Sequence, residues 1–460
     1  MKGIQNIFPI CLVIGLFFLL ISPSFLTDGM FIDGLWYATI SKNMSEGVCS
    51  FWAPRLSETR WAWGQPPMAF WLQSPFFLIN KNLYMAKIYS VLTYVCTSGI
   101  MYLVWKEIGG QLRHFWIVLL LWITVPLVYW GATNNVLENT MSIFVMLSIL
   151  FYLKGLEKHR FICVILSGLM LSLAFLTKGF TGLYPLALPF IYYLCMRNQR
   201  LSAVFSDTLC MLVSLMLPLM FLYLLNPSAK HFFGMYMSEQ VINSISNVQT
   251  VGNRFYIVLR FFEEIITPLV IVGIVVLVAL KQKRLRMSVK RINLKCSVTF
   301  GLLALSGVIP MMISLKQSGF YLITVFPVFA IALGIALAPM LEDIAVSRRF
   351  NQIAKVFSFL VLMSAVTVNI YFAGREGRDK ELIADVNLIS EQIPENTIIG
   401  ANKKLSDSWS MMAYFYFQKK ISIDFEREHT YLLCGTNAEP VDSEYTPIVK
   451  GKTLQLFQKP

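Results

Sequence analysis

Apolar residues arrive along this chain in blocks of roughly twenty, each closed by a short basic or polar run, which is the rhythm of helices that cross a bilayer. The blocks lie at about 5–26, 84–105, 115–132, 136–153, 161–176, 180–196, 205–226, 265–280, 297–315, 320–341 and 353–373. They predict an all-α polytopic membrane protein with about eleven transmembrane helices, twelve or thirteen at the upper bound. The first block is preceded only by Lys2 and closes on Ser22-Pro23-Ser24-Phe25, a poor cleavage site, so it reads as an uncleaved helix. Residues 67–80 are also apolar, but short and interrupted by Pro75, and read as interfacial or re-entrant.

Polar segments break the rhythm in three places. Residues 27–83 form a loop that crowds Asp28, Asp33, five tryptophans and the pair Pro66-Pro67 into one stretch, and 227–264 forms a second loop. After Phe372 the hydropathy falls, and residues 374–460 read as a small soluble α/β domain appended to the membrane domain 1–373. Its pattern predicts helices at 380–392 and 408–417, strands at 397–400, 421–425 and 431–434, and a last hairpin turning at Gly451-Lys452. No internal repeat of fixed period is visible, which weakens a transporter built from inverted repeats.

Charge adds a topology. With the N-terminus inside, the inside loops carry eighteen Lys and Arg, seven of them between Lys281 and Lys295, against nine in the longer outside loops. Basic residues favour the cytoplasmic side, so the pattern predicts a cytoplasmic N-terminus and an extracytoplasmic C-terminus. The net charge of +13 has the same origin and does not point to nucleic acid. Of 460 residues 56% are hydrophobic and only 14% charged, against roughly 25% in soluble domains. The eight cysteines form no C-x-x-C pair and the four histidines no ligand spacing, so no metal site is expected. The same topology gathers Asp28, Asp33, Glu138, Lys178, Glu239 and Lys316 on one face. Ionised side chains beside membrane spans are costly and tend to mark function, so this convergence predicts a shared site.

Four stretches then carry a resemblance. Asp33-Gly34-Leu35-Trp36-Tyr37-Ala38-Thr39-Ile40-Ser41-Lys42-Asn43-Met44 opens the first loop, and Gln65-Pro66-Pro67-Met68 with Trp71-Leu72 closes it. Leu176-Thr177-Lys178-Gly179-Phe180 and Lys316-Gln317-Ser318-Gly319-Phe320-Tyr321 followed by Pro327 complete the set. In this order they resemble GT-C class glycosyltransferases, in particular the aminoarabinose lipid A transferases and the protein mannosyltransferases. Gln65 stands where those relatives often carry Lys or His, Gly34 and Trp36 replace a Glu and an Arg, and no Arg lies beside Glu239-Gln240. These departures bear on the donor sugar more than on the reaction class.

The resemblance implies an enzyme of the bacterial inner membrane that moves a monosaccharide from a polyprenyl-phosphate carrier to lipid A, a glycan or a protein on the periplasmic face. It implies Asp33 as general base or acceptor-orienting carboxylate and Glu138 as a second acid. Lys178, Lys316, Tyr321 and Gln65 would bind the lipid phosphate, with Tyr37, Asp28 and Glu239 as further substrate contacts. The chemistry suits these residue types: an acceptor hydroxyl needs a carboxylate for its proton, and a departing phosphate needs cations and donors. Plainer roles exist for each. Asp28 fits a turn in Thr27-Asp28-Gly29, Glu138 a helix start, Lys178 and Lys316 snorkelling at a span end, Tyr321 an interfacial belt, and Glu239 ordinary solvation. No cofactor is required, and a divalent ion is compatible with the reaction without being needed. The rival functions are a transporter or flippase of lipid-linked sugars, which would want acids deep in both halves, and a scaffold whose tail does the work.

Overall fold

The computed structural model describes residues 7–246, 248–344, 348–436 and 444–459. The chain divides into two compact units: Met1–Ser22, Gly64–Ala69 and Ser90–Tyr371 form the first, and Pro23–Trp63, Phe70–Tyr89 and Phe372–Pro460 the second.

Every apolar block coincides with a helix or a bent pair of helices. Among the described residues seven helices are long and apolar enough to cross a membrane, and up to nine spans result if each bent pair counts as one. One pair, Leu112–Ile123 and Pro126–Thr133, bends by 80°. Pro126 lacks the N–H that would continue the helix, and the Leu127 N–H turns to the Glu264 carboxylate at 2.8 Å. The block expected at 320–341 begins with a tighter turn over Gly319–Thr324 before the helix Phe326–Asp343, which starts with Pro327 in its first turn. Phe180–Met196 is likewise a short 3₁₀ stretch leading into a helix.

In the first unit small residues let helices approach. Leu137–Glu157 and Arg160–Lys178 form an antiparallel hairpin tied by Ser148 and Ser167, whose hydroxyls lie 2.9 Å apart. On the other side of Arg160–Lys178, a Cβ at Gly168 would fall 2.5 Å from the Met211 carbonyl, so the helix Leu201–Leu225 can approach only because none is there. Ser172 donates to the Leu215 carbonyl at 2.8 Å one turn further on. Close backbone contact and interhelical hydroxyl bonds replace the hydrophobic effect, which gives no gain between helices already in lipid.

The second unit joins the first polar loop to the tail. That loop is folded: helix Ile32–Ser45, a short hairpin of Arg55–Ser57 with Arg60–Trp61, and helix Met68–Ile79 running through Pro75. The tail forms a five-stranded sheet in the spatial order Ser422–Asp424, Ile398–Ala401, Tyr431–Gly435, Leu454–Gln458, Thr446–Lys450; the first three strands are parallel and the last two antiparallel to their neighbours. Helices Lys380–Ser390 and Trp409–Lys419 and the strands correspond to those expected from the pattern. One core contains Leu35, Ala38 and Leu56 together with Met411, Phe415 and Ile423. Glu46 ties the pieces further, meeting Lys81 at 2.9 Å and Lys420 at 2.7 Å. Asp385 accepts the Lys452, Thr453 and Leu454 N–H groups at 2.8, 2.6 and 3.0 Å and so closes the final hairpin.

Candidate active site

The first unit holds a cavity of about 580 Å³ at one end of its helices. Four residues expected to bind phosphate line it: Gln65, Lys178, Lys316 and Tyr321. The rest of the wall is largely apolar, with Leu183, Tyr184, Pro310, Met311 and Ile313 among its residues. A greasy hollow with amines, amides and phenols set in it suits an amphiphile bearing an anionic head.

Local structure explains how each group gets there. Lys178 is the last residue of the helix Arg160–Lys178, and Gly179 ends that helix at φ +85°, in the region that glycine adopts without steric cost. A Cβ on Gly179 would also lie 1.9 Å from the Tyr236 hydroxyl. The pair Lys178-Gly179 is therefore a chain reversal that delivers the amine while leaving room for a phenol. Burial pushes the Tyr236 hydroxyl pKa well up, so it stays a neutral donor on the cavity wall.

Glu138 stands in the first turn of Leu137–Glu157 and is fully buried. Its carboxylate forms an ion pair with the Lys178 ammonium. The amine further lies over the rings of Phe320 and Tyr321, with centroids at 4.8 and 4.6 Å, a cation–π contact on two sides. Lys316 donates to the Gln240 side-chain oxygen at 3.0 Å. Glu239 is exposed on the π-helical turn Tyr236–Ile242, whose Tyr236 and Gln240 line the cavity four residues apart. The widened turn is rare in proteins and frequent at functional sites.

The remaining expected residues belong to the second unit. Asp33 is the acid of the first turn of Ile32–Ser45, where the helix dipole favours a negative charge. Tyr37 is buried with its ring 5.5 Å from that of Phe70. Asp28 is held through its backbone: its N–H donates to the Arg375 carbonyl at 2.9 Å and its carbonyl accepts from Gly377 at 3.2 Å. Gly29 beside it has φ +85° with the Arg378 carbonyl packed where a Cβ would be, as a turn there requires.

Sequence reasoning missed Tyr236, Gln240 and Gln317. Tyr236 carried one signal, the need of Gly179 for an empty Cβ position; the two glutamines carried none, since an amide gives no hydropathy mark. The donor set of the cavity lining does not fit a divalent ion, which prefers clustered carboxylate or carbonyl oxygens. Among the described residues no group of three His, Cys, Asp or Glu side chains could hold a metal.

Comparison with known proteins accords with this geometry. The architecture is the GT-C fold. Residues 64–224 match the family described as dolichyl-phosphate-mannose-protein mannosyltransferase. Among solved structures the chain is similar to ArnT from Cupriavidus metallidurans bound to undecaprenyl phosphate, with a TM-score of 0.66 and 14% identity over 99% of this chain and 98% of that one. It is similar to the same protein in the apo state with a TM-score of 0.64, again at 14% identity over 99% and 98%. No curated protein sequence matches it. The resemblance drawn from the motifs is borne out, in the fold and in the family signature that residues 64–224 carry.

Proposed function

We propose that the chain transfers a monosaccharide from a polyprenyl-phosphate carrier to a hydroxyl-bearing acceptor, lipid, glycan or protein, on the extracytoplasmic face of a bacterial inner membrane. The acceptor oxygen attacks the anomeric carbon, the bond from that carbon to the phosphate oxygen breaks, and the carrier departs as a phosphate monoester. In this reading Asp33 takes the acceptor proton, with Asp28 and Tyr37 of the same segment as further substrate contacts and Glu239 solvated beside Gln240. Lys178, Lys316, Tyr321 and Gln65 hold the phosphate and stabilise the charge that grows on it as the bond breaks. Glu138 serves as counter-ion to Lys178 until the phosphate arrives.

One observation carries the proposal: Gln65, Lys178, and Lys316 with Tyr321, from three stretches far apart in sequence, line a single cavity whose wall is otherwise largely apolar. The polyprenyl phosphate seen in the structurally similar ArnT is an amphiphile of the kind such a cavity suits. The test is release of polyprenyl phosphate by purified protein given a polyprenyl-phosphate monosaccharide and an acceptor. Asp33→Asn should stop release while leaving carrier binding in place, and Lys178→Ala should weaken binding. Full release by Asp33→Asn would remove Asp33 from the chemistry, and unaltered binding by Lys178→Ala would remove the cavity from it.

A further inference from the structure

We propose that Gln317, behind the cavity wall, is the positioning residue that sets where Lys316 meets the donor phosphate. The proposal rests on reading the cavity as the lipid-phosphate site.

Two stretches of the first unit wall the cavity on this side. One contributes Tyr236, Gln240 and Ser244, the other Met311, Ser314 and Lys316. Gln317 is only 3% exposed, and its amide ties the second stretch to the segment that follows the first in sequence, at Arg254 and Ile257. Its side-chain nitrogen donates to the Arg254 carbonyl at 3.0 Å, the Ser314 carbonyl at 2.8 Å and, more distantly, the Met311 carbonyl at 3.3 Å. Its side-chain oxygen accepts the Ile257 N–H at 3.0 Å. Thr250 doubles the clasp: its hydroxyl accepts the Gln317 N–H at 2.9 Å and donates to the Gln317 carbonyl at 3.0 Å, and its own N–H meets the Leu315 carbonyl at 3.1 Å. Ser314 donates to the Ser244 carbonyl at 2.6 Å while accepting the Lys316 N–H at 2.9 Å.

The consequence is mechanical. The Lys316 backbone is flanked by the bonds of Leu315 and Gln317 to Thr250 and of Ser314 to Ser244, and its amine reaches Gln240. A four-carbon side chain has large rotamer entropy, and an amine pinned at both ends loses little of it when an anion binds. An amide is suited to the hub because it both donates and accepts; a carboxylate would set charge against three carbonyls, and an apolar residue would leave buried backbone groups unmet.

The experiment uses full-length protein in nanodiscs with a polyprenyl-phosphate monosaccharide as donor. Gln317→Leu, and Thr250→Val as the milder cut of the same clasp, should raise the donor KM about tenfold and about threefold with kcat nearly kept, the pattern of lost ground-state binding. In a Lys316→Ala background both effects should vanish, because the clasp acts through that amine. A merely structural role would lower the melting temperature and the active fraction, leave KM alone, and add to Lys316→Ala; that result overturns the proposal. If Gln317→Leu fails to fold, Thr250→Val decides by the same criteria. Lys178→Ala separates the two failures: if it leaves donor binding intact, the phosphate reading falls, whereas if it weakens binding and the clasp variants leave KM unchanged, only the positioning role falls.

Discussion

The helix Arg160–Lys178 carries a cation at each end, and the two are used in opposite ways. Arg160 spends its guanidinium: it meets Asp207 at 2.6, 3.0 and 3.2 Å and Gln199 at 2.6 Å. The same end of the unit has a second hollow of about 370 Å³, where Glu342 collects Arg113 at 2.5 Å and Arg291 at 3.0 Å. Lys178, at the other end, faces one carboxylate, two aromatic rings and a cavity. The helices Leu294–Val308 and Phe326–Asp343 repeat the contrast: Cys296 and Glu342 line the hollow at one end, while Gly307 and, just before the second helix, Tyr321 line the cavity at the other. Charge satisfied inside the protein holds helices together; charge presented to a cavity is available to a ligand.

The largest effect expected from this contrast is at Lys178. Lys178→Ala should reduce kcat/KM for polyprenyl-phosphate release by about 10³, the order seen when one electrostatic contact to developing charge is removed. It also leaves Glu138 buried without its ammonium, worth about 3 kcal/mol of stability. The double variant Lys178→Met with Glu138→Gln separates the two losses, since it should recover the melting temperature and not the activity. Activity recovered by an uncharged pair would make Lys178 a structural cation like Arg160.

Gly179→Ala comes next, at about 2 kcal/mol from the left-handed backbone and the clash with Tyr236. Adding Tyr236→Phe should return part of it, because the atom nearest the new methyl is the phenol oxygen. Thermal melts of the two single variants and the double would reveal the non-additivity; simple addition would mean that the backbone conformation alone sets the cost. Arg160→Ala follows, at about 2 kcal/mol from an Asp207 left nearly buried, with kcat/KM per folded molecule within about twofold of the parent. A large kcat/KM loss there would show that the far end of the helix reaches the chemistry.

Much of this was legible in the chain, for physical reasons that also mark the limits. Lys178 and Lys316 stood out because an ammonium beside apolar residues is rare, and the cavity gathers both. The helices announced themselves as apolar blocks, yet the bend between Ile123 and Pro126 did not, since hydropathy is blind to direction. The helix Ile32–Ser45 passed for loop because nine of its fourteen residues, Gly34, Leu35 and the run from Tyr37 to Asn43, are buried, which erases the stripe that betrays a surface helix. Gln317 was invisible because everything that matters about it is the set of distant backbone groups it reaches.

The smallest expected effect gives the sharpest check on the contrast. Glu342 is ringed by Arg113 and Arg291, with a nitrogen of His114 at 3.9 Å, and both arginines are about half exposed. Pairs so open to water are worth up to about 1 kcal/mol, because solvent screens them and the long side chains lose freedom in making them. Glu342→Gln keeps the shape of the side chain and removes its charge. It should therefore lower the unfolding free energy by about 0.5–1 kcal/mol at low ionic strength, with most of that difference gone near 1 M salt, where charges beyond about 3 Å are screened. Polyprenyl-phosphate release should stay within about twofold at either ionic strength. A loss of release approaching that of Lys178→Ala, or a stability difference untouched by salt, would mean that this end of the bundle is neither solvated nor separate from the work done at the other.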